Sequence, residues 1–149
     1  MPVYLLAFLS LLLLAVQSAA FDPPIDTAGP ITSRIEGPSE VTTIEKPFSV
    51  SVVLENKGEQ EIKGDVEIGL IDDWKAGPKR ASFSVASKGN AKLEFKITPS
   101  SQTYNAHYPV HAFVRFKVDG RDYEAHPILI LRTNIPNPPK PKVDIPWKP

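Results

Sequence analysis

Apolar side chains in this chain recur at every second position, in short runs closed by turn formers, and this pattern constrains the fold more than any other feature. Phe48, Val50, Val52 and Leu54 alternate with Ser49, Ser51, Val53 and Glu55. A strand turns successive side chains to opposite faces, so the first set is expected on a buried face. Val66, Ile68 and Leu70 form a second such set, Phe83 and Val85 a third, and Leu93, Phe95 and Ile97 a fourth. Asn56-Lys57-Gly58, Gly77-Pro78 and Lys88-Gly89-Asn90 stand between them as turns. Residues 31–36 and 41–44 read as one first strand broken at Gly37-Pro38. No sustained helical period follows residue 20. The chain is expected to be all-β.

The last hairpin is specified down to its register. Asp119-Gly120 is a two-residue turn signal, because a type I′ turn needs positive φ at both central positions. With Val118 facing Arg121, Lys117 meets Asp122 and Arg115 meets Glu124 on one face. On the other, Phe116 meets Tyr123, Val114 meets Ala125, Val110 meets Leu129 and Tyr108 meets Leu131. A slip of one residue would dissolve both sets. Pro127 falls opposite Ala112 with no N–H to give, so a bulge or change of partner is expected at His126-Pro127. Pro109 is expected to mark a matching irregularity. Strands and turns at this spacing point to an all-β sandwich.

The ends of the chain differ from its middle. Of the first 20 residues 16 are apolar, against 46 of the remaining 129. Residues 1–20 read as a signal peptide cut after Ala20, with small Ser18 and Ala20 before the cut. Ser10 and Gln17 interrupt the apolar run, so no stable transmembrane anchor is expected. Residues 21–33 carry three prolines and read as an extended lead-in, and 34–133 as the sandwich. Six of the last fourteen residues are proline, so 134–149 read as a semi-rigid tail or linker. With no cysteine, the domain must be held by packing alone. That absence, with the lack of an Asn-X-Ser/Thr site, leans toward a bacterial protein that is secreted, periplasmic or on the cell surface. Seventeen basic and seventeen acidic side chains argue against a nucleic-acid partner.

The strand Phe48–Asn56 ending in Asn56-Lys57-Gly58, followed by Gly64-Asp65-Val66-Glu67-Ile68, resembles bacterial Ig-like modules of the CARDB and NEW3 kind. Trp74, Phe83-Ser84-Val85, Gly89, Ile97-Thr98-Pro99 and Tyr108-Pro109-Val110 extend the resemblance over about residues 41–131. It implies an antiparallel Ig-like or fibronectin-III-like sandwich of about seven strands, in an exported, non-catalytic module often found beside enzymes that act on polysaccharide. The charged strand that follows Gly120 departs from the family pattern.

No residue pattern calls for an enzyme or a cofactor. Asp72-Asp73 fit a turn better than an acid–base pair, because adjacent residues in a strand point apart. His107, His111 and His126 share the outer face of the last hairpin. His107 and His111, four apart, lie about 13 Å from each other and cannot share an ion. His126 can approach His111 diagonally, but two histidines without a third ligand make a poor metal site. Trp74 is expected to pack over one end of the core. The alternative is an exposed ring forming a sugar platform with Tyr104 or Tyr123. The expected partner is an unknown protein or polysaccharide, and the expected function is binding, spacing or assembly, or else a carbohydrate-binding accessory role.

Overall fold

A computed structural model describes residues 24–140 of the chain. In chain order its strands are β1 Ile25–Ala28, β2 Ile31–Glu36, β3 Glu40–Val41, β4 Phe48–Asn56, β5 Ile62–Gly69 and β6 Lys75–Gly77. Then come β7 Arg80–Val85, β8 Asn90–Thr98, β9 His107–Val118, β10 Arg121–Ala125 and β11 Ile128–Thr133. One sheet has the order β1-β2-β4-β8-β6. The other runs β3-β11-β9-β5-β7, with β10 also paired to β9. The signal peptide lies outside the described residues, as do residues 141–149 of the tail.

The two sheets face each other through the alternating sets read from the sequence. Val50, Val52 and Leu54 of β4 are fully buried, as are Phe95 and Ile97 of β8. Val66 and Ile68 of β5 meet them from the opposite sheet, with Val110, Ala112 and Val114 of β9. Gly64 shares this inward parity in β5 but has no side chain. A Cβ there would clash with the Arg115 carbonyl oxygen and come within 2.8 Å of Phe83 Cζ. The backbones approach too closely for any other residue. Gly64→Ala is expected to destabilise the fold by about 2 kcal/mol, read from the urea midpoint.

The final hairpin has the register that its turn and charges specify. Val118 pairs with Arg121, Lys117 with Asp122, and Arg115 with Glu124. Asp119 and Gly120 both have positive φ, 48° and 78°. Beyond the break at His126-Pro127, β11 resumes with Leu129 on Val110 and Leu131 on Tyr108. The backbone stays tied across the break, since Ala112 N–H donates to the Pro127 carbonyl at 3.1 Å. Pro109 behaves otherwise than expected. It lies inside β9, paired with Ile130. Bonding alternates along an antiparallel pair, so the Ala112 bond turns Pro109 N away from β11. It faces the side where the β5 ladder has already ended at Gly69.

The strand count and two boundaries also differ from expectation. The strands number eleven rather than about seven, because short edge pieces add to the main ones, and β3 joins β11 in parallel. The first strand does break at Gly37-Pro38, and its halves lie in different sheets. Residues 21–33 are not simply a lead-in: β1 and β2 form a hairpin, with Ile31 and Ser33 fully buried. Pro24 stands just before β1 and Pro30 at the turn, both outside the strands. The sandwich also continues past residue 133. Ile135 is 6% exposed, donates its N–H to Asn105 Oδ1 at 2.6 Å, and accepts from Asn105 Nδ2 at 3.1 Å.

Candidate functional site

Trp74 is an interior residue. It follows a tight turn in which Asp72 and Asp73 both take positive φ, 52° and 59°, and its N–H closes the turn on the Ile71 carbonyl at 3.1 Å. This geometry sends the indole inward. The ring is 6% exposed, stacks on Tyr108 at 4.6 Å and 10°, and meets Phe48 edge-on at 6.1 Å. Its Nε1–H donates to the Oγ1 of fully buried Thr103 at 2.8 Å. The Tyr108 hydroxyl accepts the Tyr104 N–H at 3.0 Å, and burial holds its pKa above the ordinary tyrosine range. Asp72 and Asp73 are turn residues, with Ser100 Oγ donating to the Asp72 carbonyl at 2.7 Å.

The three aromatics that could have formed a platform are not brought together. Tyr104 is half-buried near the Trp74 end. Tyr123 stacks on Phe116 at 5.4 Å, with the Arg121 guanidinium 5.4 Å from its ring. Tyr108 and Phe116 are eight residues apart on β9, about 26 Å of strand. Trp74 and Tyr123 thus lie toward opposite ends of β9, and the indole nearer Tyr104 is buried.

The outer face of the second sheet carries a different cluster. His111 Nδ1 and His126 Nε2 lie 2.9 Å apart, close enough to share a proton. Phe113 stacks on His126 at 4.3 Å and on His111 at 5.9 Å. The Phe113 ring lies over Gly69, where a Cβ would come within 2.8 Å of Cε2. The His126 N–H donates to Asp26 Oδ2 at 2.7 Å, tying β1 to the break between β10 and β11. Pro109, Ile128 and Ile130 continue this half-buried apolar strip along β9 and β11. The register read from the sequence sets His126 opposite Phe113 and within diagonal reach of His111, but it gives no signal for how the Phe113 ring packs. Its place became visible only once Gly69 was known to lie beneath it.

Beside the strip runs a ladder of ion pairs across four strands. Arg80 Nη2 meets Glu67 Oε2 at 3.3 Å, Arg115 Nη1 meets the same oxygen at 2.9 Å, and Arg115 Nε meets Glu124 Oε2 at 2.7 Å. Arg115 and Glu124 of the ladder also line a groove of about 540 Å³ that includes Gly64, Lys117, Asp122 and Tyr123. The Arg115 hydrogen bond, helped by Arg80 and Lys79, holds the Glu67 carboxyl below its ordinary pKa. The same pairing raises Arg115. A lowered carboxylate pKa contributes stability above the unfolded value and loses it as pH falls through the folded one. Arg115→Gln is therefore expected to flatten the acid limb of a stability–pH profile below about pH 4.3. An unchanged limb would show that the pair contributes nothing. The effect is small, because the ladder is open to solvent and salt screens it.

Among the described residues no group of three or more His, Asp or Glu side chains is placed to hold a metal ion. No helix among them is long and apolar enough to cross a membrane.

No family model matches the chain, and no curated relative matches it. Similarity appears among solved structures. A CARDB domain from Pyrococcus furiosus, crystallised in complex with di-metal ions, covers 76% of this chain and 93% of its own at 16% identity, with a TM-score of 0.51. An MSP family member from C. elegans covers 68% of this chain and 97% of its own at 9% identity, with a TM-score of 0.42. The cupredoxin domain of amoB from Nitrosocaldus yellowstonii covers 83% and 95% at 11% identity, also at 0.42. The chain is an all-β sandwich that resembles the CARDB domain in fold.

Proposed function

We propose that this chain is an exported, non-catalytic β-sandwich module that serves binding, spacing or assembly at the bacterial cell envelope, with a protein as its partner. The observation that carries the reading is the burial of Trp74, which speaks against a sugar platform built on that ring. The carboxylates on the outer face of the second sheet are held in cross-strand ion pairs, not set apart as an acid–base couple. The two outer faces also differ in character. That of the first sheet presents Thr32, Arg34, Glu55, Lys92 and Glu94, while that of the second carries the strip of Pro109, Phe113, Ile128 and Ile130. Partly apolar, aromatic-containing surface rimmed by charge is the composition of a protein contact. The apolar first twenty residues support export.

A photoreactive side chain at Ile130, in cells expressing the full chain, is expected to form protein adducts in the envelope fraction. The same group at Thr32 should form few. Equal labelling from both positions, or adducts confined to the cytosol, would contradict the proposal.

A further inference from the structure

The first sheet leaves one edge partly uncovered. β6 pairs with β8 only at Lys96, Ile97 and Thr98. The chain then crosses at Gly77-Pro78 and enters β7 in the other sheet. Among the described residues no strand pairs with residues 90–95 of β8 on the side away from β4. Such an edge offers its N–H and C=O groups to another extended chain.

Its side chains fit a second copy of themselves. A two-fold axis normal to the sheet keeps inward residues inward, so the axis must pass through a residue rather than between two. With the axis at Leu93, Lys92 faces Glu94 of the second copy, and Glu94 faces its Lys92. On the inward side Ala91 meets Phe95 and Leu93 meets itself, continuing the apolar face of β8 across the junction. Neighbouring registers fail. An axis at Lys92 or at Glu94 sets like charges directly opposite, which is destabilising. An axis at Phe95 needs the segment that β6 already covers. An axis at Ala91 runs the pairing into the turn at Gly89. Leu93 also lies near the middle of the uncovered segment. Lys92 and Glu94 are exposed and form no ion pair within the described chain, unlike Glu67, Arg115 and Glu124 on the second sheet.

We propose that β8 pairs antiparallel with β8 of a second copy, forming a two-fold dimer with Leu93 on the axis and two Lys92–Glu94 pairs across it. This inference does not depend on the partner proposed for the other sheet. Sedimentation equilibrium of the purified chain should show a monomer–dimer equilibrium. Lys92→Glu and Glu94→Lys should each weaken the dimer about tenfold or more, since each turns both attractive pairs into repulsive ones. The combined Lys92→Glu/Glu94→Lys exchange should restore it. Both side chains are exposed, so the urea midpoint of the monomer serves as a control for folding. A monomer at every accessible concentration would overturn the proposal. So would a dimer unaffected by the single reversals, or one that the double exchange fails to restore.

Discussion

Trp74→Ala is expected to lower the stability of the sandwich by about 3–5 kcal/mol, the range for removing a large buried aromatic. The indole fills the end of the core between Tyr108 and Phe48, and its loss leaves a cavity that those rings cannot close without moving. It also withdraws the donor to Thr103 Oγ1, which itself donates to the Ser100 carbonyl at 2.7 Å and anchors that loop. Trp74→Phe keeps an aromatic ring and loses the donor, so its cost should fall near 1 kcal/mol above the packing change. Urea unfolding followed by circular dichroism separates the two, because Trp147 would confuse a fluorescence reading. If Trp74 were a surface platform, the alanine variant would unfold at the wild-type midpoint.

Asn56→Asp should be comparably severe, for an electrostatic reason. Asn56 is 1% exposed at the end of β4. Its Nδ2 donates to the carbonyls of Gln60, Ala86 and Val85 at 2.8, 3.1 and 3.2 Å, and its Oδ1 accepts the Gly58 N–H at 2.9 Å. One side chain thus fastens the Asn56-Lys57-Gly58 turn to the end of β7. A carboxylate there would set a charged oxygen against three carbonyl oxygens, at a cost of about 3–5 kcal/mol. Burial and those carbonyls raise the pKa of the introduced carboxyl above its unfolded value. Its protonated form retains one O–H donor, so the defect should be mildest in acid and deepen as pH rises through the raised pKa. A variant equally stable at pH 4 and pH 8 would argue against this. Asn56→Ala, which removes the bonds without adding charge, should cost about 2–3 kcal/mol at either pH.

Much of this fold is legible in the sequence because its strongest signals are local. Asp119-Gly120 permits one tight turn, and the pairing of Lys117 with Asp122 and Arg115 with Glu124 then follows by counting. The break at His126-Pro127 is local too, since proline lacks the N–H that its position requires. What was not legible depends on contacts between distant residues. β1 has only four residues, two of them exposed, and becomes a strand because Arg34 and its neighbours offer an edge. β6 is three residues long and exists because the β8 edge is there to receive it. Trp74 posed a choice between burial and display, and Tyr108 and Thr103, some thirty residues away, determine it. The resemblance to the CARDB kind rested on strand and turn positions, and the shared fold agrees with it. Those positions shape a sandwich and carry no ligand. The reading of function therefore rests on surface chemistry, where sequence patterns are weakest.

The central claim is that this module works through protein contacts on its surface, and that its aromatic side chains do not hold sugars. A glycan array probed with the chain and with Phe113→Ala and Tyr123→Ala variants tests it most directly. The account predicts no retention above background for any of the three. Binding by the wild-type chain that either substitution abolishes would contradict it and make the carbohydrate-binding accessory role the better reading.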